Sequence, residues 1–224
     1  VFAVSFSSIL VRVCTAPPLV IAAYRLIFTF CFLAPFTLWG GAPALRGMTA
    51  RQVGLSAASG VFLALHFVTW FISLKYTSIA SSVVLVTTQP LFVVLGSWIF
   101  FRERVPRKAL YGCFLAFVGS VVIGATDFQL GERAFIGDLL ALFAAIMVSG
   151  YLLIGRRLRH GLPLTGYTFV TYGASAVTLS AAAVVGGVPF YPYPRQDWLI
   201  FVALALVCTI LGHTVFNWVL RYVQ

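Results

Sequence analysis

The chain has 224 residues, of which 61% are hydrophobic and only 9% charged, and its formal net charge is +10. A soluble domain is nearer half apolar and about a quarter charged, so a water-facing globular surface is excluded. The basic excess falls in short clusters between apolar runs, which reads as charge retained at one membrane face and not as a nucleic-acid footprint.

About 20 apolar residues cross the hydrocarbon core as a helix. Eight runs meet or approach that length: 1–14, 18–39, 53–75, 79–101, 108–126, 137–155, 164–186 and 197–221. All should be helices, because a helix satisfies its own backbone hydrogen bonds where there is no water. The fold class expected is therefore all-α, a polytopic membrane helix bundle. The first run begins at Val1, already inside apolar sequence, which suggests a truncated N-terminus; no cleavable signal peptide is visible. Arg12, near the end of that run, is read as a snorkelling residue.

Pro17 and Pro18 open the second run, and Gly40-Gly41-Ala42-Pro43 closes it. Arg25, two turns inside, either snorkels outward or caps carbonyls of a neighbouring helix, with an anionic substrate group as its other candidate partner. In the fourth run Thr87, Thr88 and Gln89 precede Pro90, whose ring removes one helix hydrogen bond; the kink serves gating or static packing. Glu103 among Arg102 and Arg104 is read as part of a structural ion pair, with an inside gate as the alternative. The fifth run carries Gly112, Ala116, Ser120 and Gly124 at four-residue intervals, a packing face toward another helix or a second subunit. Asp138, behind Gly137, is the expected opening residue of the sixth run. No carboxylate is expected in the interior of any span. The cysteines Cys14, Cys31, Cys113 and Cys208 read as small buried hydrophobes, with no metal or disulfide spacing.

Lys and Arg alternate between loops. Arg46 and Arg51, then Arg102, Arg104, Arg107 and Lys108, then Arg156, Arg157 and Arg159 form one set; Lys75, Arg133 and Arg195, beside Asp127, Glu132 and Asp197, form the other. The first set should be cytoplasmic, so the N-terminus should be cytoplasmic and the protein should lie in the inner membrane.

An offset of about 145 residues reveals self-similarity of the kind transporters build into inverted repeats. Residues Val1 to Phe6 fall on Ile146 to Tyr151, Arg12 on Arg157, and Pro18-Leu19 on Pro163-Leu164. With one residue of slippage, Leu74-Lys75-Tyr76 falls on Leu220-Arg221-Tyr222. Five helices separate equivalent points, so the second unit should enter the membrane from the opposite side. The expected domains are 1–126 (helices one to five) and 127–224 (helices six to eight), with eight spans present and ten in the natural protein, two of them beyond Gln224.

The stretch from His66 through Trp70, Lys75 and Ser82 to Thr87-Thr88-Gln89-Pro90-Leu91, closed by Phe101-Arg102-Glu103-Arg104, resembles the EamA branch of the drug/metabolite transporter superfamily. Gly150 to Arg157 and Leu211 to Trp218 are similar to that branch as well. The resemblance implies ten helices in two inverted repeats around a central cavity, and export or uptake of small metabolites.

Polar groups inside hydrocarbon each need a reason. His66 and His213 lie near the middle of their spans and fall within one residue of equivalence in the repeat. Trp70 and Asn217 follow them at i+4, on the same helix faces. These four, with Gln89 and Tyr151, are the candidate substrate-pathway residues; the alternative is histidines bonded across packed helices. Tyr24, Tyr167 and Tyr172 read first as packing residues. No GxSxG, HExxH or P-loop occurs, so no catalytic, cofactor or metal site is expected. The partners expected are the lipid bilayer, a small-molecule substrate and a homodimer partner, without nucleic acid. A secondary transporter by alternating access is the favoured function. An integral-membrane enzyme using the histidines, and a structural membrane subunit, are the alternatives.

Overall fold

The computed structural model describes residues 2–40, 42–220 and 222, with side chains from Val4 onward apart from 127–130. Expectations that rest on Val1, Gly41, Arg221 and Gln224, or on the side chains of Phe2, Ala3 and Asp127, lie outside the described residues.

Every regular element among the described residues is helical. In chain order they are α1 (Phe2–Val13), α2 (Pro18–Trp39), the short α3 (Ala42–Arg46), α4 (Ala50–Tyr76), α5 (Ile79–Val86), α6 (Gln89–Phe101), α7 (Arg107–Leu130), α8 (Glu132–Arg159), α9 (Leu164–Val185) and α10 (Arg195–Ala203). A π-helical stretch (Leu204–His213) then leads into α11 (Thr214–Val219). Counting α5 with α6, and α10 through α11, as single crossings, seven segments are long and apolar enough to span a membrane; the apolar part of α1, Val4–Val13, is shorter.

Local chemistry accounts for most boundaries. Pro18 begins α2, where its missing N–H costs nothing. Thr49 and Gln52 form a capping box at the start of α4, each side chain bonding the other's backbone N–H, and this draws the helix three residues earlier than the apolar run. The fourth span is interrupted at Thr87 and Thr88, between α5 and α6. Both threonine hydroxyls donate back to carbonyls three residues earlier, Val84 at 2.9 Å and Leu85 at 2.6 Å. Pro90 has no N–H to offer the Val86 carbonyl one turn back, and the two hydroxyls cover the neighbouring carbonyls of Val84 and Leu85.

Two expectations are corrected. The sixth span starts at Glu132, so Asp138 does not open it; it lies inside α8, and 2% of its surface is exposed. One span therefore carries a carboxylate beyond its first turn, while Asp197, also buried, sits in the first turn of α10. Charge clusters at helix ends concealed this, because the polar run 127–133 looked like a loop but is helical almost throughout. The π-helical stretch has no counterpart in the apolar pattern, which is blind to hydrogen-bond register.

The centre of the bundle is α4, which packs along α8 and α9, while α2 packs along α9. Small residues permit the close approach. A Cβ added at Gly60 would run into the backbone carbonyl of Thr171 and lie 2.9 Å from the Ala174 Cβ. One at Gly150 would lie 2.8 Å from the Phe62 ring. By contrast, α7 buries none of its described side chains, and a Cβ at Gly112 or Gly124 would meet nothing within 4 Å. Of its row of small residues, Gly112 is exposed while Ala116, Ser120 and Gly124 are half-buried, so the row lies on the less exposed side of a loosely packed helix.

Gly60→Ala should lower thermal stability by about 1–3 kcal/mol through overpacking. Gly54→Ala, on the same helix with nothing within 4 Å, should be neutral or gain up to about 1 kcal/mol from helix propensity. Melting of the two purified variants in one detergent, beside the parent, checks the contrast.

Candidate functional site

A cavity of about 300 Å³ opens among α1, α4, the α5–α6 break, α8 and the end of the π-helical stretch. Its walls include Ser5 and Ser8 from α1, His66 and Trp70 from α4, Thr87 and Gln89 at the break, Val148 and Leu152 from α8, and His213 and Phe216. The volume sits at the lower end of the range for small-ligand pockets, about 300–1,000 Å³. A larger groove lined by Trp98, Arg102 and Glu103 lies between α6 and α7 and is remote from these residues.

His66, Trp70, Gln89 and His213, four of the six residues singled out in the sequence, lie on this one wall system. The His66 and His213 rings are 6.4 Å apart, centroid to centroid, and meet edge to face. His66 stacks on Trp70 at 5.8 Å and 21°. Its Nδ1 lies 2.9 Å from the carbonyl oxygen of Ala144. A carbonyl only accepts, so Nδ1 carries hydrogen and Nε2 is left as an acceptor in the neutral ring. The indole Nε1 of Trp70 is buried and has no hydrogen-bond partner, an arrangement that costs about 1–3 kcal/mol unless a ligand supplies the acceptor.

Tyr151 and Asn217 do not line this cavity. Tyr151 donates its hydroxyl to Asn217 Oδ1 at 2.8 Å, and Asn217 Nδ2 donates to the Tyr172 hydroxyl at 3.1 Å. The Tyr172 oxygen also bonds Thr214 at 3.2 Å, and Arg159 Nε donates to the Asn217 carbonyl at 3.0 Å. All three side chains, Tyr151, Tyr172 and Asn217, are completely buried. They saturate one another and pin α11 to α8 and α9. Tyr151 still abuts the site, with its ring 6.2 Å from that of His213. Tyr167 bonds Ser59 at 2.7 Å and Tyr24 bonds the Phe190 carbonyl at 2.9 Å, so both serve packing.

Arg25 does not snorkel. It is fully buried, donating through Nε to Thr209 Oγ1 at 2.7 Å and through Nη1 to Ser7 Oγ at 2.9 Å. Thr209 in turn donates to the Leu204 carbonyl five residues back, the π-helical register. The guanidinium lies over the Phe67 ring at 4.1 Å, and that ring contacts His66 at 5.0 Å and His213 at 5.3 Å. Arg25 therefore stands one aromatic ring behind the cavity wall. Its Nη2 has no hydrogen-bond partner.

Polar ties close the two ends of the bundle. At one end Asp197 accepts from the Thr15 backbone N–H at 3.2 Å and from its hydroxyl at 2.6 Å. There Lys75 donates to the Cys14 carbonyl at 2.9 Å, and Arg12 donates to the Leu74 carbonyl. Arg12 is exposed and fastens the end of α4, a role its position in the first run did not announce. Burial pushes the Cys14 thiol up to about 12, so it stays protonated at neutral pH. At the other end Arg156 of α8 holds Glu103 by two parallel bonds of 2.8 Å and reaches Ser97 at 3.2 Å. Glu103 thus pairs across the bundle instead of with its neighbours Arg102 and Arg104.

A helical bundle that spans a membrane and holds a small, mainly apolar cavity with a few polar groups in its wall has the form of a solute carrier. The chain belongs to the EamA-like transporter family, which matches residues 1–125 and 135–224. It is 26% identical to an uncharacterized transporter of Archaeoglobus fulgidus over 98% of this chain and 76% of that protein. It is 29% identical to a riboflavin transporter of Brucella anthropi over 60% of this chain and 45% of the relative. With a pseudopaline exporter of Pseudomonas aeruginosa the identity is 26%, over 71% of this chain and 55% of the relative. The chain thus spans about half the length of the latter two. A solved protein structure superposes with a TM-score of 0.68 at 19% identity, covering 98% of this chain and 78% of the other, and shows the fold to be a known one.

Tyr151→Phe leaves the side-chain Oδ1 of Asn217 without its donor. The variant should lose about 1–3 kcal/mol of stability, seen as a lower melting temperature in detergent. Tyr24→Phe, which frees a backbone carbonyl outside this network, should lose less.

Proposed function

We propose that the chain carries small metabolites by alternating access, with the cavity walled by His66, Trp70, Gln89 and His213 as the substrate pathway. The observation that carries this reading is the meeting of polar and aromatic side chains from separate spans around one cavity, in a sequence otherwise built for lipid. Holding such groups in hydrocarbon is costly unless they are used. The riboflavin and pseudopaline relatives support small organic molecules as cargo.

Two inverted repeats, 1–126 and 127–224, of five helices each in the ten-span natural protein, supply the moving parts. The separate family matches to residues 1–125 and 135–224 support that division. His66 and His213 occupy equivalent positions in it, one from each unit. The end ties are the natural gates. Glu103 and Arg156 come one from each unit, and so do Thr15 and Asp197. Opening one tie while the other holds would expose the cavity to one side at a time. The break at Thr87 and Thr88 gives the fourth span a hinge beside Gln89. The exposed apolar face of α7, with Phe114, Leu115, Phe117 and Val121, suits a second copy of the chain. Lys and Arg content puts the Glu103 end in the cytoplasm, with the protein in the inner membrane and its N-terminus inside.

A proteoliposome screen of metabolite mixtures, read by mass spectrometry, tests the function. For the compound that moves, His66→Ala or Trp70→Ala should cut flux about tenfold or more, the loss of roughly 1.4 kcal/mol of binding or beyond, with normal insertion. Unchanged flux removes both residues from the pathway. For orientation, a reporter fused within 102–108 should remain on the cytoplasmic side; an external signal overturns the assignment.

A further inference from the structure

Among the described residues the cavity wall contains no carboxylate, and its titratable members are His66 and His213. On their own helices the described acids stand well away from it. Asp138 precedes Val148 by ten residues, about 15 Å of helix, and Gly137 beside it packs against Thr77 at the bundle end. Asp197 is bonded to Thr15 at that same end, and Glu103 to Arg156 at the opposite one.

Arg25 is a permanent charge close behind the cavity wall. Through Phe67, the distances to His66 and His213 laid end to end place its guanidinium within about 9 Å of either ring, a range over which buried charges still interact appreciably. Its two bonded partners, Ser7 and Thr209, are neutral hydroxyls. Among the described residues no carboxylate bonds it; it rests on the Phe67 ring face, and Nη2 is left without a hydrogen-bond partner. A fully buried guanidinium normally has an anion beside it.

The wall is also flat-sided. His66 and Trp70 stack nearly parallel, and His213 and Phe216 stand 6.4 Å apart with their rings edge to face. Trp70 adds an indole N–H that lacks an acceptor. A ring slides against such faces, and a carboxylate or other anionic oxygen fits both the free donor and the positive field. An amine fits neither.

We propose that this cavity takes ring-bearing organic anions, an aromatic carboxylate being the simplest, and discriminates against the corresponding cations through the charge of Arg25. The proposal rests on the cavity being the substrate pathway.

The test compares indole-3-acetate with tryptamine, two ligands with the same ring and opposite charge, by calorimetric titration of the purified protein in lipid nanodiscs at pH 7. The acid should bind at least about five-fold tighter. Trp70→Phe, which keeps a ring and removes the N–H, should weaken the acid about tenfold and leave tryptamine nearly unchanged. Arg25→Met should abolish the preference. If that variant does not fold, the ligand pair on the parent protein and Trp70→Phe decide the matter. Equal or tighter binding of tryptamine that Trp70→Ala abolishes overturns the anion preference and leaves the cavity as the pathway. Weak binding of both ligands, unchanged in Trp70→Ala, overturns the cavity reading itself and the preference with it.

Discussion

Hydrocarbon offers no hydrogen bonds, so every polar atom held inside it must be answered by the chain or by something the chain carries. That constraint organises the bundle more than any apolar contact does, since lipid tails are as apolar as leucine. It explains why Tyr151, Tyr172, Thr214 and Asn217 form one connected set across three helices. It explains why Thr87 and Thr88 turn their hydroxyls back onto the chain where the fourth span is interrupted before Pro90. The same accounting isolates the exceptions. Among the described residues the Ser56 and Ser175 hydroxyls are unanswered away from the cavity, and Nε1 of the wall residue Trp70 and Nη2 of Arg25, one ring behind it, are unanswered close to it.

Close helix packing is the second condition. Gly60 and Gly150 let α4 approach α9 and α8 until backbone meets backbone or ring meets backbone. That approach brings His66 near Ala144, whose carbonyl then fixes the imidazole tautomer. A packing feature thus decides which ring nitrogen remains available to a ligand. The chemistry of the cavity depends on glycines that do not touch it.

Much of this was legible in the sequence. Run length and hydropathy give the helices, because spanning a bilayer demands both. The pairing of His66 with His213, and of His66 with Trp70, follows from mid-span position and helix periodicity. Asn217 and Tyr151 were harder. Helix spacing places Asn217 on the face of His213, but a side chain's partner is settled by the helices around it, and α8 and α9 present two tyrosines there. Arg25 was misjudged for the opposite reason. Two turns of depth permit snorkelling, and only the positions of Ser7, Thr209 and Phe67 hold the side chain inward. Asp138 was hidden by its polar neighbours, which look like a loop in one dimension and form the first turns of α8 in three.

The wide-register stretch Leu204–His213 ends on the histidine that faces the cavity. Were its closure to tighten to the ordinary four-residue pattern, everything downstream would swing around the helix axis by about 100°, one residue's worth of rotation. His213 would leave the wall, and Asn217 would be pulled from Tyr151 and Tyr172. The stretch is in effect a crank, with Thr209 and its bond to Arg25 as the catch that holds it wound.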